Sequence, residues 1–282
     1  MLGRLQLNVT SSQTTQVDSS AASWACADVR PGTEVKLASG VVGSCEWTSI
    51  CNASVSTWNH RRVGFTAANC LGPLIYEERQ ATIHTASIQG YDLVIHPSLR
   101  LRLESSSEPE RLIVPVAAIA MPDAFMGQEY PNAPAMIYLD VEEDSQARSP
   151  ALLATVVPGE GQEATIVSHP LLLPSASSGT SSDTNVKITK GTWRMGSDPA
   201  ASVDDVKQPQ HASLGSPVYA EEPDGVLKQV AVVTQEGVRT GGITVVSIVA
   251  RENSWVQRML RKVVDLIPPG LGRQVIALSD RR

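Results

Sequence analysis

Gly64-Phe65-Thr66-Ala67-Ala68-Asn69-Cys70 is a run in which aromatic and β-branched residues give way to small ones, then to an asparagine and a cysteine. This is the pattern of a buried β-strand entering a tight turn, closed by a cysteine, with Asn69 presented at the turn. On either side the same rhythm continues. Short runs rich in Val, Ile, Thr and Tyr, bounded by Gly, Pro, Ser or Asn, recur at spacings of about 8–15 residues. They are Glu34 to Leu37, Ser54 to Trp58, Val63 to Ala67, Ala81 to Thr85, Leu93 to Ile95 and Leu112 to Ile119. The second half repeats it: Ala135 to Leu139, Leu152 to Val157, Ala164 to Val167, Val186 to Thr189, Gly191 to Met195, Val226 to Val233 and Ile243 to Ile248. Helical periodicity is nearly absent between these runs. The spacing therefore predicts antiparallel sandwiches or barrels rather than a fold of alternating strands and helices.

Three connections read as exposed loops. Arg100 to Arg111 carries Ser105-Ser106-Ser107 among acidic side chains; Pro174 to Thr184 is Ser-rich; Ser197 to Gln210 is rich in Asp, Ala and Pro. Loops of this length on a compact β domain are usually binding loops or insertions. One strong helix closes the chain. After Asn253 as cap, Trp255, Val256, Met259, Leu260, Val263, Val264 and Ile267 fall on one face and Gln257, Arg258, Arg261 and Lys262 on the other, until Pro268-Pro269 stops it. The basic face reads as solvated surface, given the acidic total.

A chain of 282 residues with 42% hydrophobic content can bury one large β domain or two smaller ones. Its net charge of -6 lacks the clustered Lys/Arg that phosphate binding requires, so a protein partner is expected and nucleic acid is not. No run of about 18 apolar residues occurs to span a bilayer. Met1 to Ser20 holds one Arg and no apolar segment long enough for a secretory leader, which predicts an intracellular chain or a processed form. Cys26, Cys45, Cys51 and Cys70 all fall in the first quarter. Either they form local crosslinks or they are buried free thiols. No CxxC pair occurs, so no metal is expected, and no cofactor motif is present.

Three stretches together resemble the trypsin/chymotrypsin family of serine proteases. Thr66 to Cys70 is similar to the family's TAAHC, with Cys51 placed like the cysteine that bridges to the one after the family's histidine. Tyr91-Asp92-Leu93-Val94 looks like the segment that carries the triad aspartate. Ala212-Ser213-Leu214-Gly215-Ser216-Pro217-Val218-Tyr219 is similar to GDSGGP, and is followed by Val230-Ala231-Val232-Val233 and the closing helix. The resemblance covers about residues 33 to 265. It implies an all-β fold: two antiparallel six-stranded β-barrels of chymotrypsin type with a C-terminal α-helix. The expected division is a polar arm over residues 1–32, a first barrel over 33–124, a second over 125–252, the helix over 253–268 and a tail over 269–282. It also implies a bridge from Cys51 to Cys70, leaving Cys26 with Cys45. Bridged cysteines would place the chain outside the cell; a chain complete as given would be cytoplasmic.

The same resemblance withdraws the chemistry. The mechanism needs a hydroxyl nucleophile, an imidazole base, a carboxylate and amides for the oxyanion. At those positions stand Leu214, Asn69, Asp92 and the oxyanion-hole relic Ala212 with Leu214; the residue before the nucleophile is Ser213 rather than Asp. Leucine has no nucleophile, and an amide is no base near neutral pH. The pocket floor becomes Gln208 and its wall Thr234, Gln235 and Glu236. No Arg or Lys followed by IVGG precedes the first barrel. Asn69 stands where its amide could donate to Asp92 in place of the lost imidazole.

The first expectation is a non-catalytic protease homologue that binds protein through loops 172–185 and 196–212. A second is a serine-type endopeptidase with a shifted register, Ser213 as nucleophile and His211 as base. Of the five histidines, His60, His84, His96, His169 and His211, none sits at the family's position. A third is a structural subunit that docks through its Ser-rich arm and tail.

Overall fold

The computed structural model describes residues 2–11, 34–36, 42–58, 61–70, 86–87, 91–94, 99–103, 112–122, 132–139, 151–169, 186–196, 200–207, 212–239, 242–249 and 255–260, some strand positions by backbone alone. In the first half, strands β1 (Leu2–Ser11), β2 (Glu34–Lys36), β3 (Val42–Trp58), β4 (Arg61–Ala67), β5 (Ala86–Ser87), β6 (Tyr91–Val94), β7 (Leu99–Leu103), β8 (Leu112–Pro122) and β9 (Pro134–Leu139) precede a short β10 (Ala151–Leu152). The second half holds β11 (Glu163–Ser168), β12 (Lys187–Met195), β13 (Ala200–Asp204), β14 (Pro217–Glu221), β15 (Leu227–Arg239) and β16 (Gly242–Ser247).

Two antiparallel rings result. In the first, β1 pairs with β3, β3 with β4, β4 with β9, β9 with β8, β8 with β7, and β7 returns to β1. The second closes as β11-β12-β13-β16-β15-β14. Numbered by their own six ring strands, both follow the order 1-2-3-6-5-4. The fold is the expected one: all β, two six-stranded barrels of chymotrypsin type, ending in a helix. The first barrel's extra pieces hang on the ring, β5 and β6 on β8 and β2 and β10 on β3.

Each barrel is filled from alternate strand positions. Leu5, Cys51, Ala53, Val55, Leu101, Leu103, Ile119 and Ile137 form the core of the first. Ile166, Trp193, Val203, Val218, Ala231, Val233, Ile243 and Val245 form that of the second. Residues 255–260 are helical, and Trp255, Val256, Met259 and Leu260 bury against Phe65, Met136 and Tyr138 of the first barrel and Val232, Val246 and Ile248 of the second. Four side chains of that size stabilise by roughly 1.5–3 kcal/mol each when removed from water. The rest of the expected helix, 261–268, lies outside the described residues.

Several boundaries differ from expectation. The polar arm over 1–32 begins with a barrel strand, since β1 lies between β3 and β7. Leu5 is fully buried there, so the apolar alternation outweighs the polar composition. The first barrel does not end at 124, because β9 pairs with both β4 and β8 and closes its ring. The loop expected over 100–111 starts as β7, with Leu101 and Leu103 facing in and Arg100 and Arg102 facing out. Likewise Ala200–Asp204, placed in a loop by its small and acidic residues, is an inner strand between β12 and β16. Its Ala201 and Val203 are buried, and small side chains suffice where the barrel is tight.

Candidate functional site: the seam between the barrels

After Ala67 the chain leaves β4 through a single 3-10 turn, Ala68–Cys70, and Cys70 bonds to Cys51 on β3, with 5.9 Å between their Cα atoms. Cys45 is also disulfide-bonded; Cys26 lies outside the described residues. The bridge fixes the two residues beside it, Asn52 and Asn69, and both reach the second barrel.

Asn52 does so three ways. Its Nδ2 donates to the His169 carbonyl at 3.0 Å, its Oδ1 accepts from the His169 N–H at 2.9 Å, and its own N–H donates to the Leu214 carbonyl at 2.9 Å. Ser54 and Ser56, at the next alternate positions of β3, face the same way. Gln229 Nε2 donates to Ser54 Oγ at 2.7 Å, and Ser56 Oγ donates to Gln229 Oε1 at 2.6 Å. All four side chains are completely buried. A buried polar group is costly unless paired, so this satisfied row admits one alignment of the barrels and penalises others. It also closes the Asn52-Ala53-Ser54 sequon, whose amide is inaccessible in the folded chain.

The segment that resembles the nucleophile turn is held by the same seam. Ser216 N–H donates to the Ser213 carbonyl at 3.1 Å, closing a turn with Gly215 at φ 77°. A Cβ at Gly215 would run into the Asn52 carbonyl oxygen and Thr66 Oγ1, so both the backbone angle and the space require glycine. Gly215 N–H donates to the Val233 carbonyl and Val233 N–H to the Ser216 carbonyl, each at 2.9 Å. Ser216 Oγ lies 2.6 Å from Ser168 Oγ, and Thr66 Oγ1 donates to the Asn52 carbonyl at 2.7 Å. Leu214 packs against the first barrel's core, in the cluster that contains Cys51 and Cys70.

Asn69 Nδ2 donates to the Thr234 carbonyl at 2.9 Å. Asp92, its expected partner, lies on β6 opposite Met121 and Ser87, and its side chain is outside the described residues. Ala212 and Ser213 are buried at the start of the turn. Thr234 is buried and Gln235 half-buried on β15; of Glu236 only the backbone is described. Gln208, His211 and the loop 172–185 lie outside the described residues, as do His60, His84 and His96. His169 is described and buried, and its main chain is what Asn52 grips. The described cluster of Asn52, Thr66, Asn69, Ser213, Ser216 and Thr234 is thus composed of amides and hydroxyls. None of these groups accepts a proton near neutral pH.

Sequence reasoning missed Asn52, Ser54, Ser56 and Gln229. Polar residues at alternate positions of a strand with a buried opposite face were the available signal, and their partner is distant in sequence.

No family model matches the chain, and neither does any curated protein. Among solved structures, the chain is similar to a thermostable serine protease, AL20, from an extremophilic microorganism, with 10% identity and a TM-score of 0.46 over 87% of this chain and 89% of that one. The fold described above rests on the chain's own strand order.

Proposed function

We propose that this chain is a serine-protease homologue without hydrolytic activity, which keeps the double barrel as a protein-binding module. One observation carries the reading. Leu214, where the family resemblance puts the nucleophile, is partly buried and packed against the first barrel's core, while Asn69, at the base position, has its amide bonded to the Thr234 carbonyl. Neither group can attack a carbonyl or take a proton.

Beyond Thr234, which is buried and whose carbonyl Asn69 already takes, residues 235–237 of β15 are extended but lie in no pairing register among the described residues, because β14 pairs up to Val232 and β16 resumes at Val238. An extended peptide segment can add to such an edge through backbone hydrogen bonds alone. The partner is accordingly a protein with an exposed strand or tail, and the segments 172–185 and 205–212 are proposed to supply its selectivity. Incubation with peptide and ester substrates is expected to release product at the buffer rate. Turnover that Ser213→Ala abolishes would overturn the proposal and favour the shifted-register hydrolase.

A further inference from the structure

The second barrel leaves half of one strand without a neighbour on one side. β12 has nine residues, of which Lys187 to Thr192 pair with β11, whereas β13 pairs only with Thr192 to Met195. On the β13 side, Ile188 to Gly191 therefore have no strand partner among the described residues. The cause is the turn that follows β13. Asp205 takes φ 58°, a left-handed angle that aspartate tolerates, and turns the chain off the line of β13. Val206 then packs against the second barrel's core beside Gly191, where a side chain would run into the Asp204 carbonyl oxygen and Val206 itself.

One pair of bonds gives the direction of the free main-chain groups. Trp193 N–H donates to the Gln162 carbonyl at 2.8 Å and the Trp193 carbonyl accepts from Gly161 N–H at 3.0 Å, so Trp193 turns both groups toward the β11 side. Along an antiparallel strand these directions alternate. Gly191 and Thr189 share the direction of Trp193 in the unbroken β11–β12 register, and Lys190 and Ile188 present their N–H and C=O groups to the open side. A cavity of about 570 Å³ lies there, lined by β12 from Ile188 to Thr192 and by Asp205 and Lys207. Its charges balance, since Lys190 pairs with Glu163 at 2.7 Å and Asp205 and Lys207 are opposite in sign. Main chain and the apolar side chain of Ile188, 66% exposed, are what remain to recognise a ligand.

We propose that this edge accepts an extended segment of a partner polypeptide as an added strand, bonded to the N–H and C=O groups of Lys190 and Ile188, with an apolar side chain set beside Ile188. The added strand stops at Gly191, because β13 takes the next position. A second copy of this chain does not fit: its own free edge lies in an equal recess, and two recessed edges cannot approach to the roughly 4.8 Å that separates paired strands. The site is on another strand from residues 235–237 of β15 and does not rest on the reading of that edge.

The test is hydrogen exchange and calorimetric titration of the full chain with a synthetic, terminally blocked peptide that alternates valine and threonine. The peptide is expected to slow exchange at the Lys190 and Ile188 amides by about tenfold or more, and to leave Thr189 and Gly191, already bonded toward β11, unchanged. Two forms of the peptide, N-methylated along one edge or along the other, are expected to differ: one binds like the parent and the other loses about tenfold or more in affinity. Lys190→Pro removes an N–H on the open side without touching the ladder to β11, and is expected to weaken the peptide likewise. The methylated pair decides the matter even if that variant does not fold. No binding, or equal affinity of the two methylated forms, would overturn the proposal. Protection at residues 235–237 alone would overturn it and leave the reading of the β15 edge standing. Lys190 and Ile188 amides that exchange as slowly as those of Thr189 and Gly191 in the free chain would show the edge covered by another segment of the chain, and would overturn it too.

Discussion

Asn52 and His169 are joined by two hydrogen bonds, one side-chain amide of the first barrel reading both main-chain groups of a residue in the second. Replacing Asn52 with alanine would remove the bonds that Asn52 makes to the buried His169 N–H and carbonyl. Each such loss costs about 1–3 kcal/mol, so Asn52→Ala is expected to destabilise by about 2–6 kcal/mol in denaturant unfolding. Asn52→Asp is expected to do no better, because a carboxylate turns a lone pair toward the His169 carbonyl. A loss within the error of the measurement would mean that the barrels are aligned by something other than this pair.

The Cys51–Cys70 bridge fixes the segment ends that carry Asn52 and Asn69. With a sequence separation of 19, it is expected to contribute about 3 kcal/mol through the unfolded chain. The paired variant Cys51→Ala, Cys70→Ala should therefore melt lower. Its hydrogen exchange should rise first at the Asn52 and Gly215 amides, ahead of the second barrel's interior. Unchanged melting would show the bridge to be idle.

At the second barrel's far end, Glu222 receives the Thr155 and Val156 N–H groups, at 2.6 and 3.2 Å, and Lys228 Nζ at 2.6 Å. Burial alone would raise its pKa, but these donors outweigh burial and hold the carboxyl below the usual carboxylate range. A depressed folded pKa means that stability is present above the unfolded value, about 4.3, and is lost as pH falls through the folded one. Glu222→Gln is expected to flatten that acid limb of the stability profile while leaving its slope near neutrality unchanged. An identical acid limb in the variant would remove Glu222 as its source.

The turn at Thr66 to Cys70 and the strand rhythm were legible because apolar, β-branched residues alternate there with small ones. What escaped was alternation in a polar setting. Leu5-Gln6-Leu7-Asn8-Val9 in β1 lies in a segment otherwise rich in Ser, Thr and Gln, and Leu99-Arg100-Leu101-Arg102-Leu103 in β7 joins an acidic stretch. In both, polar or charged residues alternate with apolar ones in sequence, which is normal for a barrel strand whose two sides meet different surroundings. The seam was illegible for another reason. Ser56 meets Gln229 across 173 positions, so nothing local marks either as buried. Conversely, the partner expected for Asn69 was a carboxylate, whereas the described partner is a main-chain carbonyl, which leaves no trace in side-chain identity.

The central claim is that the turn carrying Ser213 and Leu214 holds no activated nucleophile. Intact-mass measurement of the full chain after prolonged incubation with a fluorophosphonate tests it most directly, since such a probe reports an activated serine whatever the substrate. The account predicts an unchanged mass, the same for the chain and for Ser213→Ala. A stoichiometric adduct that maps to Ser213 and disappears in Ser213→Ala would contradict it.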